Sequence, residues 1–88
     1  MALDTLGSRE RRVALLERYG SLLTEHQREV LELHLQSDWS LAEIASKQGV
    51  SRSAVHDLIR RSILALEDSE RRLGLLAEAE RRQVARHA

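Results

Sequence analysis

The sequence predicts an all-α fold of about five helices around a central helix-turn-helix, with no winged element. Three observations carry this. The 88 residues hold no Phe, one Trp and one Tyr, so the core is built from Leu, Ile, Val and Ala rather than the β-branched and aromatic mixture that fills strands. Proline is absent, while Leu, Ala, Glu and Arg, all strong helix formers, abound. Apolar residues also recur at steps of three and four along most of the chain. A chain of this length makes one small domain, residues 1–88. Within it the pattern separates an N-terminal helix pair over 8–36, a helix-turn-helix over 40–61 and a C-terminal helical extension over 62–88.

Each element has a local reason. Ser8 precedes RERRVALLERYG, in which Val13, Leu15, Leu16 and Tyr19 fall at helical spacing and Gly20 is a natural stop. Thr24 opens a second helix, and Gln27 three residues later completes a capping box. Val30, Leu31, Leu33 and Leu35 give that helix a broad apolar face, which QSDWS interrupts. Ser40 with Glu43 forms another capping box and starts a short helix with Leu41, Ile44 and Ala45 facing inward. Gly49 ends it, and Ser51 caps the next helix, whose stripe runs Val55, Leu58, Ile59, Ile63, Leu66. Beyond Leu66 the acid-first pairs Glu67/Arg71, Asp68/Arg72 and Glu78/Arg82 support a long or twice-segmented helix through Gly74.

Composition excludes several classes of function. Without cysteine there is no disulfide framework, thiol nucleophile or thiolate metal site. The N-terminus lacks a signal-peptide pattern, and no run of about 18 apolar residues is present to span a membrane; the expected location is the cytoplasm. Formal net charge is zero, unlike the clear basic excess of indiscriminate polyanion binders. The charge is unevenly placed, however. Residues 40–62 carry only Glu43 and Asp57 as acids against Lys47, Arg52, Arg60 and Arg61, whereas the flanking segments are acidic or balanced.

That basic segment, EIASKQGVSRSAVHDLIRR, meets the demands of a helix-turn-helix. Ala45 is small enough for two helices to cross closely, and Gly49 supplies a residue free to adopt positive φ at the turn. Val55 and Leu58 fall on the face that packs against the first helix. Arg52, Ser53, His56, Asp57 and Arg60 then point outward, where a recognition helix meets base edges and phosphates. Arg52 can fork onto guanine or phosphate, Ser53 can bond either, and Arg60 and Arg61 suit phosphates. The dipole at the Ser51 helix start favours a phosphate there. Asp57 and Glu43 repel phosphate, so at such an interface they serve a base edge or orient an arginine; otherwise they are plain surface acids.

The stretch LTEHQREVLELHLQSDWSLAEIASKQGVSRSAVHDLIRRSILALE, residues 23–67, resembles region four of bacterial sigma factors, which reads the upstream promoter element. LTEHQREVLELHL followed by SLAEIA, SRSAVHDLIRR and LEDSERRLGLL resembles more specifically the YlxM family, small stand-alone sigma-region-four-like proteins. The resemblance covers about residues 8–76. It implies a bacterial DNA-binding regulator whose gene lies beside that of the signal recognition particle GTPase. It places Ser40 to Gln48 on the supporting helix with Lys47 as its one cation, and Ser51 to Arg61 on the recognition helix. Arg52, Ser53, His56 and Arg60 then face DNA. The expected partner is the major groove of double-stranded DNA. The rival expectation is an adaptor that keeps the fold but docks on targeting machinery, including signal recognition particle components.

Other constellations carry less. His26 and His34 are eight residues apart, about 12 Å along a helix, too far to share an ion, and with Glu29 and Glu32 they read as surface positions. His56 and Asp57 are adjacent and diverge by about 100° on a helix, so they form no dyad. Neither Ser51 nor Ser53 has a nearby oriented base, and the four glycines are scattered. No enzyme, metal or cofactor is expected. Trp39 reads first as a lid on the junction of the second and third helices, second as a partner contact. The stripe Ile59, Ile63, Leu66, Leu73, Ala77 and Val84, interrupted by Glu70 and Glu80, either packs over the first helix or forms a partial coiled-coil seam for a homodimer.

Overall fold

Helix α1 runs Ala2–Tyr19, starting well before the Ser8 boundary that the sequence suggests, because ALDTLGSRERR contains a single glycine and no proline to stop it. A computed structural model describes residues 2–87, with side chains described for 9–83. The chain continues through a short 3-10 turn at Gly20–Leu22 into α2, Glu25–Leu31, which widens into a π-helical turn at Glu32–Gln36. Next come α3, Leu41–Gln48, α4, Arg52–Leu73, and α5, Leu75–His87. No strand occurs among the described residues.

Three starts are capped by side chains, as the sequence predicts. Thr24 and Gln27 bond each other's backbone N–H groups, Ser40 and Glu43 do the same, and Ser51 Oγ accepts from Ala54 N at 3.1 Å. Gly20 is not a left-handed stop. It is buried at the α1 exit, and a Cβ there would stand 3.3 Å from Leu16 Cδ1, a tight contact that a small shift of Leu16 would have to relieve. Gly74 adopts φ 63° and separates α4 from α5, which settles the segmented form of the C-terminal extension.

One core cluster unites Leu15, Leu16 and Tyr19 of α1, Val30, Leu31 and Leu35 of α2 and its π-turn, Ile44 and Ala45 of α3, and Val55, Ile59 and Leu66 of α4. Helix α4 packs against α1, α2 and α3, so the helix that carries the functional candidates is also the hub of the fold. Its one buried polar residue, Ser62, donates from Oγ to Leu58 O at 2.7 Å and leaves nothing unsatisfied.

Two polar ties are invisible to local pattern. Arg9 Nη2 donates to Leu35 O at 2.7 Å and pairs with Asp38, pinning the α2–α3 junction, where Asp38 has φ 59°. Glu70, which interrupts the apolar stripe, accepts from Tyr19 Oη at 2.7 Å and from the N–H groups of Leu76 and Ala77 at 3.0 and 3.1 Å. It therefore caps α5 and ties it to α1. The Tyr19 bond, reinforced by those two amides, holds the Glu70 carboxyl below its usual range. Burial, with Glu70 as acceptor, pushes the Tyr19 phenol up.

The charge pairing of the C-terminal extension also differs from simple spacing. Asp68 pairs with Arg72, and Glu78 with Arg82. Glu67 instead forms a two-pronged bond with Arg11 of α1 at 2.8 and 2.9 Å, and Arg71 pairs with Asp68. A bidentate arginine across two helices is better oriented than an i,i+4 pair on one exposed face. Leu73, read as part of the stripe, is 55% exposed because Gly74 turns the chain there. Val84 lies outside the residues whose side chains are described.

Candidate nucleic-acid interface

The turn between α3 and α4 is three residues long. Gly49 holds φ 70°, ψ 33°, and its N–H and that of Val50 both turn back to Ala45 O. This is a left-handed C-cap that a β-carbon opposes. Ser51 is extended, at φ −76° and ψ 159°, and starts α4 with its side-chain cap. Ile44 and Ala45 on one side, Val55 and Ile59 on the other, are buried in the same cluster. These contacts fix the crossing of the two helices and therefore the direction of the outer face of α4.

The cap Ser51 and the α4 candidates Arg52, Ser53, His56, Asp57, Arg60 and Arg61 are all exposed. At roughly 100° per residue, Arg52, His56 and Arg60 form one stripe with Ser53 beside it, while Asp57 and Arg61 lie further round the helix. Asp57 pairs with Arg61, one turn on, which occupies the acid and orients the arginine. Neither Arg52 nor Arg60 has an ion-pair partner among the described residues. An open concavity of about 340 Å³ lies along the start of the stripe, bounded by Leu41, Arg52, Ser53 and His56.

The two α3 candidates sit differently. Glu43 Oε1 accepts from Ser40 N at 2.9 Å, and that backbone bond, with the Ser40 hydroxyl, holds its carboxyl below the usual range. Lys47 Nζ lies 5.3 Å from the Trp39 ring centroid and 3.9 Å from Glu29 Oε1. It is thus directed to Trp39 and α2, and the exposed stripe is built from α4 alone. Trp39 packs half-buried against the core. Its backbone N–H donates to Leu33 O at 2.9 Å, and its backbone carbonyl accepts from His34 Nδ1 at 3.1 Å.

Sequence reasoning did not select Arg12. This α1 side chain shares a groove with His56 and Arg60. A separation of more than forty residues leaves no periodic signal by which to find it. Among the described residues no group of three or more His, Asp or Glu is placed to hold a metal ion, and no helix is long and apolar enough to cross a membrane.

Comparison with known proteins agrees with this geometry. The model of a family described as "UPF0122: Putative helix-turn-helix protein, YlxM / p13 like" matches residues 6–86. A UPF0122 protein of Symbiobacterium thermophilum is 57% identical over 72 residues, which are 81% of this chain and 67% of that protein. A UPF0122 protein of Halalkalibacterium halodurans is 48% identical over 68 residues, 77% of this chain and 62% of its own. One of Exiguobacterium sibiricum is 44% identical over 80 residues, 91% of this chain and 76% of its own. The matched stretch thus spans 62–76% of these three curated relatives.

Proposed function

The chain belongs to the UPF0122 family of YlxM/p13-like helix-turn-helix proteins, and from that premise we propose that it binds double-stranded DNA as a non-enzymatic, cytoplasmic transcriptional regulator. Helix α4 enters the major groove, Arg52 and His56 meet base edges, and Arg60 with the Asp57-oriented Arg61 holds phosphates. The observation that carries this proposal is the exposed Arg52–His56–Arg60 stripe, with no acid bonded to either arginine among the described residues. It stands on the outer face of a helix that the core fixes in direction. The capped start of α4 adds its dipole toward a phosphate near Ser51.

Arg52→Ala is expected to cost about 1–3 kcal/mol of specific binding, the worth of one bidentate base contact. Arg60→Ala is expected to weaken all duplexes alike and flatten the salt dependence, as loss of a phosphate contact does. Fluorescence anisotropy with labelled duplexes measures both. Unchanged affinity in both variants contradicts groove reading.

A net charge of zero supports a second reading, in which the same fold serves as an adaptor on targeting machinery such as the signal recognition particle. Such an interface is expected to tolerate added salt, whereas a DNA reader loses affinity steeply. Exposed Leu73 and Leu75 at the α4–α5 junction support a homodimer formed through the C-terminal helices. Sedimentation of Leu73→Glu against the unaltered chain tests that pairing, which predicts dissociation in the variant.

A further inference from the structure

A groove of about 400 Å³ runs between α1, the π-turn after α2, the start of α3 and the middle of α4. Its floor is aliphatic, made by buried Ile59 and half-buried Leu41 and Ile63. Leu64 stands at its edge, 55% exposed. Its remaining lining is Arg12, His34, His56 and Arg60, and no carboxylate lines it among the described residues. In a chain with as many acids as bases, a concavity with two guanidiniums and no acid is a local concentration of one sign. The α1 arginines sharpen the point. Arg9 pairs with Asp38 and Arg11 with Glu67, whereas Arg12 has no ion pair among the described residues and lines the groove.

We propose that this groove docks an acidic amphipathic helix from a partner protein. Aliphatic side chains spaced three and four residues apart would cover Leu41, Ile59, Ile63 and Leu64, and flanking Asp or Glu carboxylates would meet Arg12 and Arg60. Helix-in-groove recognition uses this combination of apolar anchors and a complementary charged rim. A DNA backbone would satisfy the arginines but leave the aliphatic floor without a complement, so the lining favours a peptide. His56 and Arg60 belong both to the groove and to the stripe assigned above to DNA. Occupation by a partner helix therefore displaces the duplex, which gives the chain a protein-controlled off state. The displacement, but not the docking itself, rests on the DNA-binding proposal.

The test is fluorescence polarisation on the full chain with two labelled synthetic helices. One carries leucines at i, i+3, i+4 and i+7 flanked by glutamates; in the other, lysines replace the glutamates. The glutamate peptide is expected to bind saturably and the lysine peptide at least about tenfold more weakly. Arg12→Ala and Leu64→Glu, both at exposed positions, are each expected to weaken the glutamate peptide severalfold with the helical circular dichroism unchanged. Arg52→Ala lies outside the groove and is expected to weaken specific duplex binding while keeping the peptide. Equal binding of both peptides, binding of neither, or insensitivity to Arg12→Ala and Leu64→Glu overturns the docking. Loss of duplex affinity in Arg12→Ala without peptide binding reassigns the groove to DNA. Peptide binding with no duplex binding at any salt sustains the docking and rejects the DNA-binding proposal alone.

Discussion

At Gly49 a single hydrogen in place of a side chain decides the turn on which the candidate interface depends. Its φ of 70° lies in the left-handed region, and nothing stands within 4 Å of where a Cβ would sit. Gly49→Ala therefore meets no steric clash, only the conformational cost of about 1–2 kcal/mol. Urea denaturation is expected to show a loss of that size, with Gly49→Asn losing less because asparagine tolerates this conformation better. A neutral alanine variant would mean that the turn relaxes. The local logic of this site was legible in the sequence, since a capping serine, a glycine and a small alanine each obey short-range rules. The partners of the charged residues were not. Whether Asp57 orients Arg61 or Lys47 turns to Trp39 depends on rotamers and neighbours that residue type alone does not fix, whereas the Glu43 cap follows from its spacing to Ser40.

At the level of elements, one carboxylate caps the start of α5 and ties it to α1. Glu70 interrupts the apolar stripe in sequence, yet it receives the phenol of Tyr19 and two amides of the first turn of α5. No pattern of three and four reveals a bond across 51 residues. Because its folded-state pKa is depressed, Glu70 adds stability above the unfolded carboxylate value of about 4.3. That contribution fades as pH falls through the lower folded value. Thermal melts of the unaltered chain and Glu70→Gln are expected to differ most near neutral pH and to converge in acid. A gap that stays constant from pH 7 to 3 would contradict the role given to this carboxylate. A separation of 56 residues likewise hides the Arg11–Glu67 bridge, which stands in place of the Glu67/Arg71 pairing that spacing suggested. Segmentation at Gly74 was legible only as an alternative, because glycine is tolerated inside a helix as well as at its end.

For the molecule as a whole, the legible part was the fold: capping boxes, apolar steps and the turn glycine prescribe helices independently of tertiary context, and they agree with one another. Less legible was the groove that unites Arg12 with α4, which exists only once α1 packs on that helix. The core that holds these helices in place has a measurable worth. Leu15→Ala and Leu31→Ala, both at fully buried positions, are each expected to cost about 2–5 kcal/mol, a large part of the stability of a chain this small. A loss below about 1 kcal/mol by urea denaturation would mean that the site collapses around the deletion. Reading of duplex DNA by the fixed outer face of α4 is the function proposed for this chain. Its most direct measurement is anisotropy of labelled random-pool and native upstream duplexes at about 50 and about 200 mM salt, an interval over which several phosphate contacts cost orders of magnitude in affinity. Tight binding at low salt that falls steeply with added salt and discriminates among duplexes is the predicted result. Absence of binding at the lower salt, or affinity indifferent to salt and sequence, would contradict it.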